Sequence, residues 1–196
     1  MSLILASSSP FRKAILDNLG LTFKVVAPEI NEARKANESP IDLVSRLSKE
    51  KALAVSKSHS GLIIASDQVA TLDSGENASD LIFTKPGSHE NAFLQLKKSS
   101  GKTVNFLTGL VLMNTNTLHT QIHVEHFKVT FKILSDNQIL NYLSKEDVLN
   151  CAGSFKSEGL GVDLLSQMEG NDPNSLIGLP TIHLIDMLAK EDVQVL

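Results

Sequence analysis

Four apolar residues lead directly into three polar ones in the stretch Leu62-Ile63-Ile64-Ala65-Ser66-Asp67-Gln68. A short apolar run of this kind is typical of a strand that is buried on both faces of a sheet. In α/β sheets, ligands bind beyond the carboxyl ends of the strands. The pattern therefore predicts a buried strand over 62–65 that delivers Asp67 to a ligand site.

The segments on either side indicate an α/β architecture with an antiparallel portion. Short apolar runs predict strands at 3–6 and 23–26, and β-forming residues predict an antiparallel pair of strands over 103–113 and 118–134. Helical spacing of apolar residues, each time after a serine suited to capping, predicts four helices. These serines are Ser9, Ser39, Ser88 and Ser135. A last amphipathic helix follows Gly178-Leu179-Pro180, and the polar run 73–80 predicts a surface loop.

The composition limits the classes of function. The chain has 196 residues, of which 42% are hydrophobic, which is enough for one domain with a core. Its net charge of −4 argues against nucleic-acid binding, which uses a basic surface. No apolar run reaches the roughly 18–20 residues of a membrane span, and no signal peptide is evident. With its single cysteine, Cys151, the chain is expected to form one domain over 1–196 in the cytoplasm, without nucleic-acid or membrane partners.

The segment Ser7-Ser8-Ser9-Pro10-Phe11-Arg12 joins a predicted strand to a helix N-terminus. Such a terminus exposes backbone N–H groups and attracts phosphate. The hydroxyls of Ser8 and Ser9 add donors, and Arg12 can bind phosphate through two N–H groups. A Ser-Pro cap is also common where no ligand binds, so this segment alone leaves both interpretations open.

Four other charged residues from distant segments are candidates for the same site: Glu32, Lys51, Asp67 and Lys85. The carboxylates suit Mg²⁺ or the polarisation of a water molecule, and the cations suit phosphate. Lys51 falls on the apolar stripe of its predicted helix, where a lysine that snorkels to solvent is the alternative interpretation. The residues alone do not show that these side chains meet.

Two other patterns are interpreted as structural. His119, His123 and Glu125 share one face of a predicted strand and His126 lies on the other, but neither an HExxH nor a CxxC motif accompanies them. We therefore expect solvent-facing strand histidines. Cys151 has no evident base partner and is expected to be a buried structural thiol.

Seven motifs then carry a family resemblance. They are Ile4–Arg12, Ala27–Glu32, Lys49–Ala52, Ala65–Val69, Lys85-Pro86, Ala152–Gly159 and Glu169–Pro180. In this order and spacing they resemble the Maf-like nucleotide pyrophosphatase family over nearly the whole chain. The late motifs look like the branch that acts on 7-methyl-GTP rather than the branch for dTTP and UTP.

This resemblance implies an elongated, mixed-sheet α/β fold like that of inosine triphosphatases, with two lobes around a central cleft. The implied reaction cuts a nucleoside triphosphate between its α and β phosphates and needs a divalent metal, Mg²⁺, Mn²⁺ or Co²⁺. Asp67 matches the proton acceptor, and Arg12, Glu32, Lys51 and Lys85 match the other polar site positions. Glu32 and Asp67 are then the expected metal ligands. A homodimer is an expectation of the resemblance alone.

The resemblance also implies that Phe11, Gln68 and Glu158 select the substrate. Glu158 can accept hydrogen bonds from the guanine edge and offset the positive charge of 7-methylguanine. Phe11 can stack on that cationic ring, an interaction worth roughly 0.5–2 kcal/mol. The alternatives are a helix-core role for Phe11 and a solvated loop acid at 158. The chain departs from the family between Leu72 and Lys85. The loop there is longer than usual, and Thr84 stands where a glycine usually precedes the Lys-Pro pair.

Two alternative functions remain at this point. A pyrophosphatase for dTTP, UTP or CTP keeps the chemistry and changes the substrate. A non-catalytic regulator of septum formation and cell division uses the site for binding only.

Overall fold

The computed structural model describes residues 2–72 and 81–196, so the loop predicted at 73–80 lies outside the described residues. The described strands are β1 (Leu3–Ala6), β2 (Phe23–Val26), β3 (Leu62–Leu72), β4 (Leu81–Phe83), β5 (Thr103–Asn114), β6 (Thr120–Phe131) and β7 (Leu165–Glu169). The α-helices are α1 (Pro10–Asn18), α2 (Pro40–Ser56), α3 (His89–Ser99), α4 (Asp136–Leu143), α5 (Asn174–Ile177) and α6 (Thr181–Ala189).

These strands form one mixed sheet with the order β2-β1-β3-β5-β6-β7, and β4 pairs with β3. β1 is parallel to both β2 and β3, whereas β4 is antiparallel to β3 and β7 is antiparallel to β6. β5 and β6 are neighbours joined by the short turn 115–119, a connection that suits only an antiparallel pair. The mixed sheet and its helices confirm the predicted α/β class.

The register between β1 and β3 brings distant residues to one place. Ala6 pairs with Ala65 at the carboxyl end of β1, so the chain after Ala6 leaves the sheet beside Asp67. The prediction that the central strand ends at residue 65 is wrong, because β3 continues to Leu72 and its last residues pair with β4. Asp67 therefore lies within a strand, just beyond the point where the parallel neighbour ends.

The chain divides into two compact units, which are described separately. Unit 1 comprises Met1–Asp67, Thr108–Glu125 and Gly178–Leu196, and unit 2 comprises Gln68–Leu107 and His126–Ile177. In unit 1, apolar side chains of β1, α2, β3 and β5 form a core cluster that includes Ile4, Ala52, Ile63 and Val111. This cluster fixes α2 against the strands that carry the predicted site residues.

Unit 2 has an aromatic core of its own. The rings of Phe106 and Phe131 each contact Phe155, with centroids 5.8 and 5.7 Å apart. Tyr142 of α4 and Leu96 of α3 are buried in the same cluster. The core therefore joins α3 and α4 to the strands of unit 2.

Serine side chains begin four helices, as predicted. Ser9, Ser39, Ser88 and Ser135 each accept a hydrogen bond from the backbone N–H three residues further on. Gln138 returns a bond to the backbone of Ser135 and completes a capping box. These local bonds satisfy N–H groups that the helix itself leaves unpaired.

Candidate active site

The turn between β1 and α1 is organised around the side chain of Ser7, which is buried. Its Oγ accepts hydrogen bonds from the backbone N–H of Ser9 at 3.1 Å and from Nη1 of Arg12 at 3.4 Å. Ser9 caps α1 by accepting the N–H of Arg12, and Ser8 is exposed. These bonds hold the N-terminus of α1 and the Arg12 guanidinium together beyond the end of β1.

One peptide carbonyl, that of Gly178, connects Arg12 with β3. It accepts hydrogen bonds from Nε of Arg12 at 2.7 Å and from Oγ of Ser66 at 2.8 Å. Gly178 has a φ of +113°, and a Cβ there would lie 3.2 Å from Arg12 Nε, so both its conformation and the close approach favour glycine. Ser66 and Gly178 are not among the predicted site residues, although a glycine just before a predicted helix is a signal that could have found the second.

Lys51 of α2 joins two carboxylates from different parts of the chain. Its Nζ lies 2.5 Å from Oδ1 of Asp67 and 2.8 Å from Oε1 of Glu32. The side chains of Lys51 and Asp67 are 7% and 11% exposed, whereas that of Glu32 is 53% exposed. A buried ammonium needs such partners, because removal of a charge from water is costly. Lys51 therefore does not snorkel to solvent, and the structure places it against both carboxylates.

The charges of two positive side chains, Arg12 and Lys51, and two negative ones, Glu32 and Asp67, balance in this part of unit 1. Burial lowers the pKa of the Arg12 guanidinium, and the negative charges of Asp67 and Glu32 oppose that change. Both carboxylates are thus close enough to influence Arg12 as well as Lys51. Loss of any one of the four charges leaves the remaining three unbalanced.

The arrangement combines the groups that phosphoanhydride hydrolysis requires. The N-terminus of α1, Arg12 and Lys51 supply donors and positive charge for phosphate oxygens. Asp67 and Glu32 supply carboxylate oxygens, which can bind a hard divalent cation or accept a proton from water. We therefore treat Arg12, Glu32, Lys51 and Asp67 as the candidate active site.

Phe11 lies in α1, directly before Arg12. It is half-buried, whereas Ile15 and Leu16 of the same helix are buried. A half-buried ring fits both stacking on a ligand and packing at the edge of the helix core.

The other predicted site residues, Gln68, Lys85 and Glu158, belong to unit 2. Gln68 follows Asp67 in β3, and its Nε2 donates to the carbonyls of Ser175 at 2.6 Å and Leu176 at 3.3 Å. Lys85 and Glu158 are exposed. The Gln68 amide is thus directed to α5, whereas the two charged side chains reach solvent.

The backbone on both sides of Lys85 is anchored to α3. Nε2 of Gln95 donates to the carbonyl of Thr84 at 3.1 Å, and Nδ2 of Asn91 donates to the carbonyl of Pro86 at 3.0 Å. Thr84, the residue that departs from the family pattern, therefore takes part in a defined contact through its backbone.

The segment that carries Glu158 is held by two residues from the region of α4. Oε1 of Glu146 accepts the N–H of Leu160 at 2.7 Å, and its Oε2 lies 3.0 Å from Nζ of Lys156. The hydroxyl of Tyr142 accepts the N–H of Lys156 at 3.1 Å. These contacts flank Glu158 on both sides and define the backbone from which its carboxylate extends.

Cys151 is half-buried against the core of unit 2. Burial raises the pKa of its thiol to about 11, with a smaller contribution from Glu158. The group is therefore a neutral thiol at physiological pH, as expected for a structural cysteine rather than a nucleophile.

A second polar cluster in unit 1 can hold a metal ion. The ligand atoms of His123, Glu125 and His183 all lie within 4.8 Å of one another. The prediction of a solvent-facing histidine is wrong for His123, which is half-buried and stacks on His183 of α6. The partner from α6 is distant in sequence, so the strand pattern does not reveal it. His119 lies elsewhere, with Nδ1 2.9 Å from Glu191.

Comparison with known proteins identifies the family of the chain. A family model described as "Maf-like protein" matches residues 2–191. The chain belongs to the Maf-like protein family.

Two relatives match this Maf-like protein over almost its whole length. It is 50% identical over 194 residues to a protein named 7-methyl-GTP pyrophosphatase from Alcanivorax borkumensis, with 98% of this chain and 95% of that protein covered. It is also 50% identical over 195 residues to a protein of the same name from Pseudoalteromonas atlantica, with coverages of 100% and 97%.

Among solved structures, the Staphylococcus aureus Ham1 protein shares the fold. The TM-score is 0.54 at 11% identity, and the match covers 98% of this Maf-like protein and all of that chain. Within residues 2–72 and 81–196, no helix combines the length and the apolar character that crossing a membrane demands.

Proposed function

We propose that this Maf-like protein hydrolyses 7-methyl-GTP to 7-methyl-GMP and pyrophosphate. The observation that carries the proposal is the buried Lys51 ammonium, which holds Asp67 and Glu32 in the unit that contains Arg12. The names of the relatives at 50% identity supply the substrate. Because the family match extends over 2–191, we infer that the whole chain works as one catalytic domain.

In this proposal Asp67 accepts the proton of the attacking water. An ammonium group has three N–H donors, so Lys51 can orient both carboxylates and still donate to a phosphate oxygen. Arg12 is already oriented by its Nε bond to Gly178 and its Nη1 bond to Ser7, so its guanidinium is held in place for phosphate. The cations stabilise the negative charge that builds up on the leaving pyrophosphate.

We further propose that Glu32 and Asp67 hold a divalent cation. The donor set fits, because two carboxylates from separate segments already converge on one cationic group. Mg²⁺, Mn²⁺ and Co²⁺ all accept such oxygen ligands. When bound, the ion would neutralise phosphate charge and polarise the anhydride.

The remaining proposed roles concern the substrate. Ser8, Ser9 and Lys85 are the further proposed phosphate ligands, and their exposure or their place at a helix N-terminus supports this role. For the base, the proposed roles are hydrogen bonding of the guanine edge by Glu158, stacking on the methylated ring by Phe11 and substrate selection by Gln68. These proposed roles follow from the family resemblance, because each residue stands at a position that matches one of the family's motifs.

The first experiment measures pyrophosphate release from 7-methyl-GTP, GTP, dTTP, UTP and CTP, with Mg²⁺ and then with Mn²⁺. We expect 7-methyl-GTP to have the highest kcat/KM. Asp67→Asn should lower kcat at least about 100-fold, because a positioned general base contributes that much or more. Asp17→Asn removes an exposed acid of α1 and should leave the rate unchanged.

The other outcomes separate the alternatives. A preference for a pyrimidine triphosphate would keep the catalytic roles and replace the substrate. No pyrophosphate from any nucleotide with either metal would favour the non-catalytic regulator of cell division. An Asp67→Asn protein with the wild-type rate would remove Asp67 from the mechanism.

We infer a cytoplasmic location from the single cysteine, and a homodimer from the family resemblance. Light scattering of the purified protein tests the homodimer, because one chain has a mass of 21.2 kDa.

A further inference from the structure

The cluster of His123, Glu125 and His183 is the feature of unit 1 that the proposed reaction does not use. His123 and Glu125 are two residues apart in β6, so their side chains lie on the same face of the strand. Nε2 of His123 is 3.0 Å from Oε2 of Glu125, and Nδ1 of His183 is 3.3 Å from the same oxygen. Two imidazoles thus converge on one carboxylate oxygen.

Burial makes the partners of the Glu125 carboxylate important, because little water reaches it. The Glu125 side chain is only 5% exposed, and a buried carboxylate needs a cation or several donors. Nδ1 of His183 is itself buried and, within the described residues, makes no hydrogen bond of favourable geometry. A buried ring nitrogen in that condition costs free energy that a ligand can recover.

The two histidines of the cluster come from different elements, β6 and α6, and lie against each other. The two imidazole rings stack with centroids 3.5 Å apart and planes inclined by 14°. Each ring nitrogen that faces Glu125 is a hydrogen-bond donor when it carries the proton of the neutral imidazole, and a metal ligand when the other ring nitrogen carries it.

A transition-metal ion satisfies all three groups. Ligands bound at about 2.0–2.2 Å in tetrahedral geometry lie about 3.3–3.5 Å from one another, close to the two nitrogen–oxygen distances observed here. Imidazole nitrogens select ions such as zinc rather than Mg²⁺. We propose that Nε2 of His123, Nδ1 of His183 and Oε2 of Glu125 bind one Zn²⁺ ion, with water as the fourth ligand.

The site has a structural consequence for α6. A metal lies in the plane of each imidazole that binds it, so coordination tilts the two rings out of their stack. The ion would link β6 to α6, the helix that follows Gly178, whose carbonyl positions Arg12 and Ser66. Zinc would therefore stabilise unit 1, including the element that supports the guanidinium.

The test uses the full chain, stripped of metal by a chelator and kept free of nucleotide. Calorimetric titration with Zn²⁺ in excess Mg²⁺, which fills the proposed Glu32–Asp67 site, should give one Zn²⁺ ion per chain. Co²⁺ as a probe should give the visible absorption of a tetrahedral site. His123→Gln and His183→Gln should each weaken Zn²⁺ binding at least about tenfold. His126→Gln, on the opposite and exposed face of β6, is the matched control and should bind as the wild type does.

A second readout needs no variant. The chain has six histidines, and Zn²⁺ should shift the NMR signals of the His123 and His183 rings while the others stay in place. The proposal fails if the wild type binds no Zn²⁺, or if the signals of other histidines move instead. It fails equally if Asp67→Asn abolishes Zn²⁺ binding, because the ion would then occupy the proposed catalytic carboxylates.

Discussion

Among the single side chains, Lys51 is the one on which the candidate site depends most. One ammonium group contacts Asp67 from β3 and Glu32 from the segment after β2. Asp67 is almost as buried as Lys51, so its carboxylate has little water to replace the ammonium. The stability of unit 1 and the orientation of the candidate base thus depend on the same contact.

Replacement of Lys51 by methionine should destabilise the protein through Asp67. Breaking a buried ion pair by removal of one partner leaves the other charge uncompensated and costs about 3–5 kcal/mol. We expect the free energy of unfolding at pH 7, measured with urea, to fall by about 3 kcal/mol. Lys49→Met removes an exposed lysine from the same helix and should change it by less than about 0.5 kcal/mol.

The double variant Lys51→Met/Asp67→Asn identifies the cause. With both charges removed, much of the lost stability should return, because no buried ion remains unpaired. If the double variant were as unstable as Lys51→Met alone, lost packing of the lysine chain would be the better explanation.

Among the elements, the irregular segment between β2 and α2 is the one that most needs an anchor, because it carries Glu32. Arg46 of α2 provides it. Its Nε and Nη2 lie 2.5 and 2.8 Å from the two carboxylate oxygens of Glu38, and Nη2 also donates to the carbonyl of Ala33 at 3.1 Å. This pair of bonds fixes the chain directly after Glu32 on the helix that carries Lys51.

The anchor should be sensitive to acid. The hydrogen bonds from Arg46 lower the pKa of Glu38 from 4.5 to about 2. Because the pKa is lower in the folded state, the contact stabilises the protein fully above pH 4.5 and is lost as the pH falls towards 2. Urea unfolding of wild type and Arg46→Met should therefore differ most above pH 4.5 and converge in acid.

Arg46→Lys is the matched variant for this contact, because it keeps the charge and loses the paired geometry. It should lie between wild type and Arg46→Met above pH 4.5. A stability difference that does not vary with pH would show that Glu38 is not the partner that matters.

Local interactions were the predictable part of these elements. The caps at Ser39 and Ser135 depend on bonds to a backbone N–H three residues away, so the sequence pattern contains both partners. The end of β3 was mispredicted because its last residues are held by β4, whose position no local pattern specifies. The same holds for the candidate site, whose contacts join segments that are distant in sequence.

The candidate residues Glu32, Lys51 and Asp67 could be named from residue type and family resemblance, but their contact depends on the β1–β3 register and the packing of α2. The Gly178 carbonyl and the ring of His183 were missed for the same reason. Both lie in the last part of the chain and contact residues that come far earlier in the sequence.

On the scale of the whole molecule, the family's motifs are distributed over two units that have separate cores. Arg12 and Asp67 belong to unit 1, whereas Gln68 and Glu158 belong to unit 2. The residues proposed for phosphate chemistry that are named here therefore belong to unit 1, and those proposed for base selection belong to unit 2. Binding of the whole substrate is the property that tests both assignments at once.

The inactive Asp67→Asn protein should be stabilised more by 7-methyl-GTP than by GTP. At a ligand concentration of about 100 Kd, binding adds about 2.7 kcal/mol to the free energy of unfolding. For a chain of this size, that is a rise in Tm of roughly 5–10 °C. At the same concentration GTP should give a smaller rise, since it lacks the positive charge that we propose Glu158 offsets.

Glu158→Gln in the same background should reduce the difference between the two nucleotides, and Asp163→Asn, an exposed acid nearby in the chain, should not. A larger rise with dTTP or UTP than with 7-methyl-GTP would contradict the assignment of Glu158 and Phe11.

The placement of residues 178–196 in unit 1 has a consequence for synthesis on the ribosome. Unit 1 starts with the earliest residues of the chain, yet its Arg12 and Ser66 must wait for the carbonyl of Gly178. All of unit 2 is translated in the interval, and domains form as units while the chain emerges. A nascent chain therefore cannot assemble the support of the Arg12 guanidinium until Gly178 has been made, after the whole of unit 2.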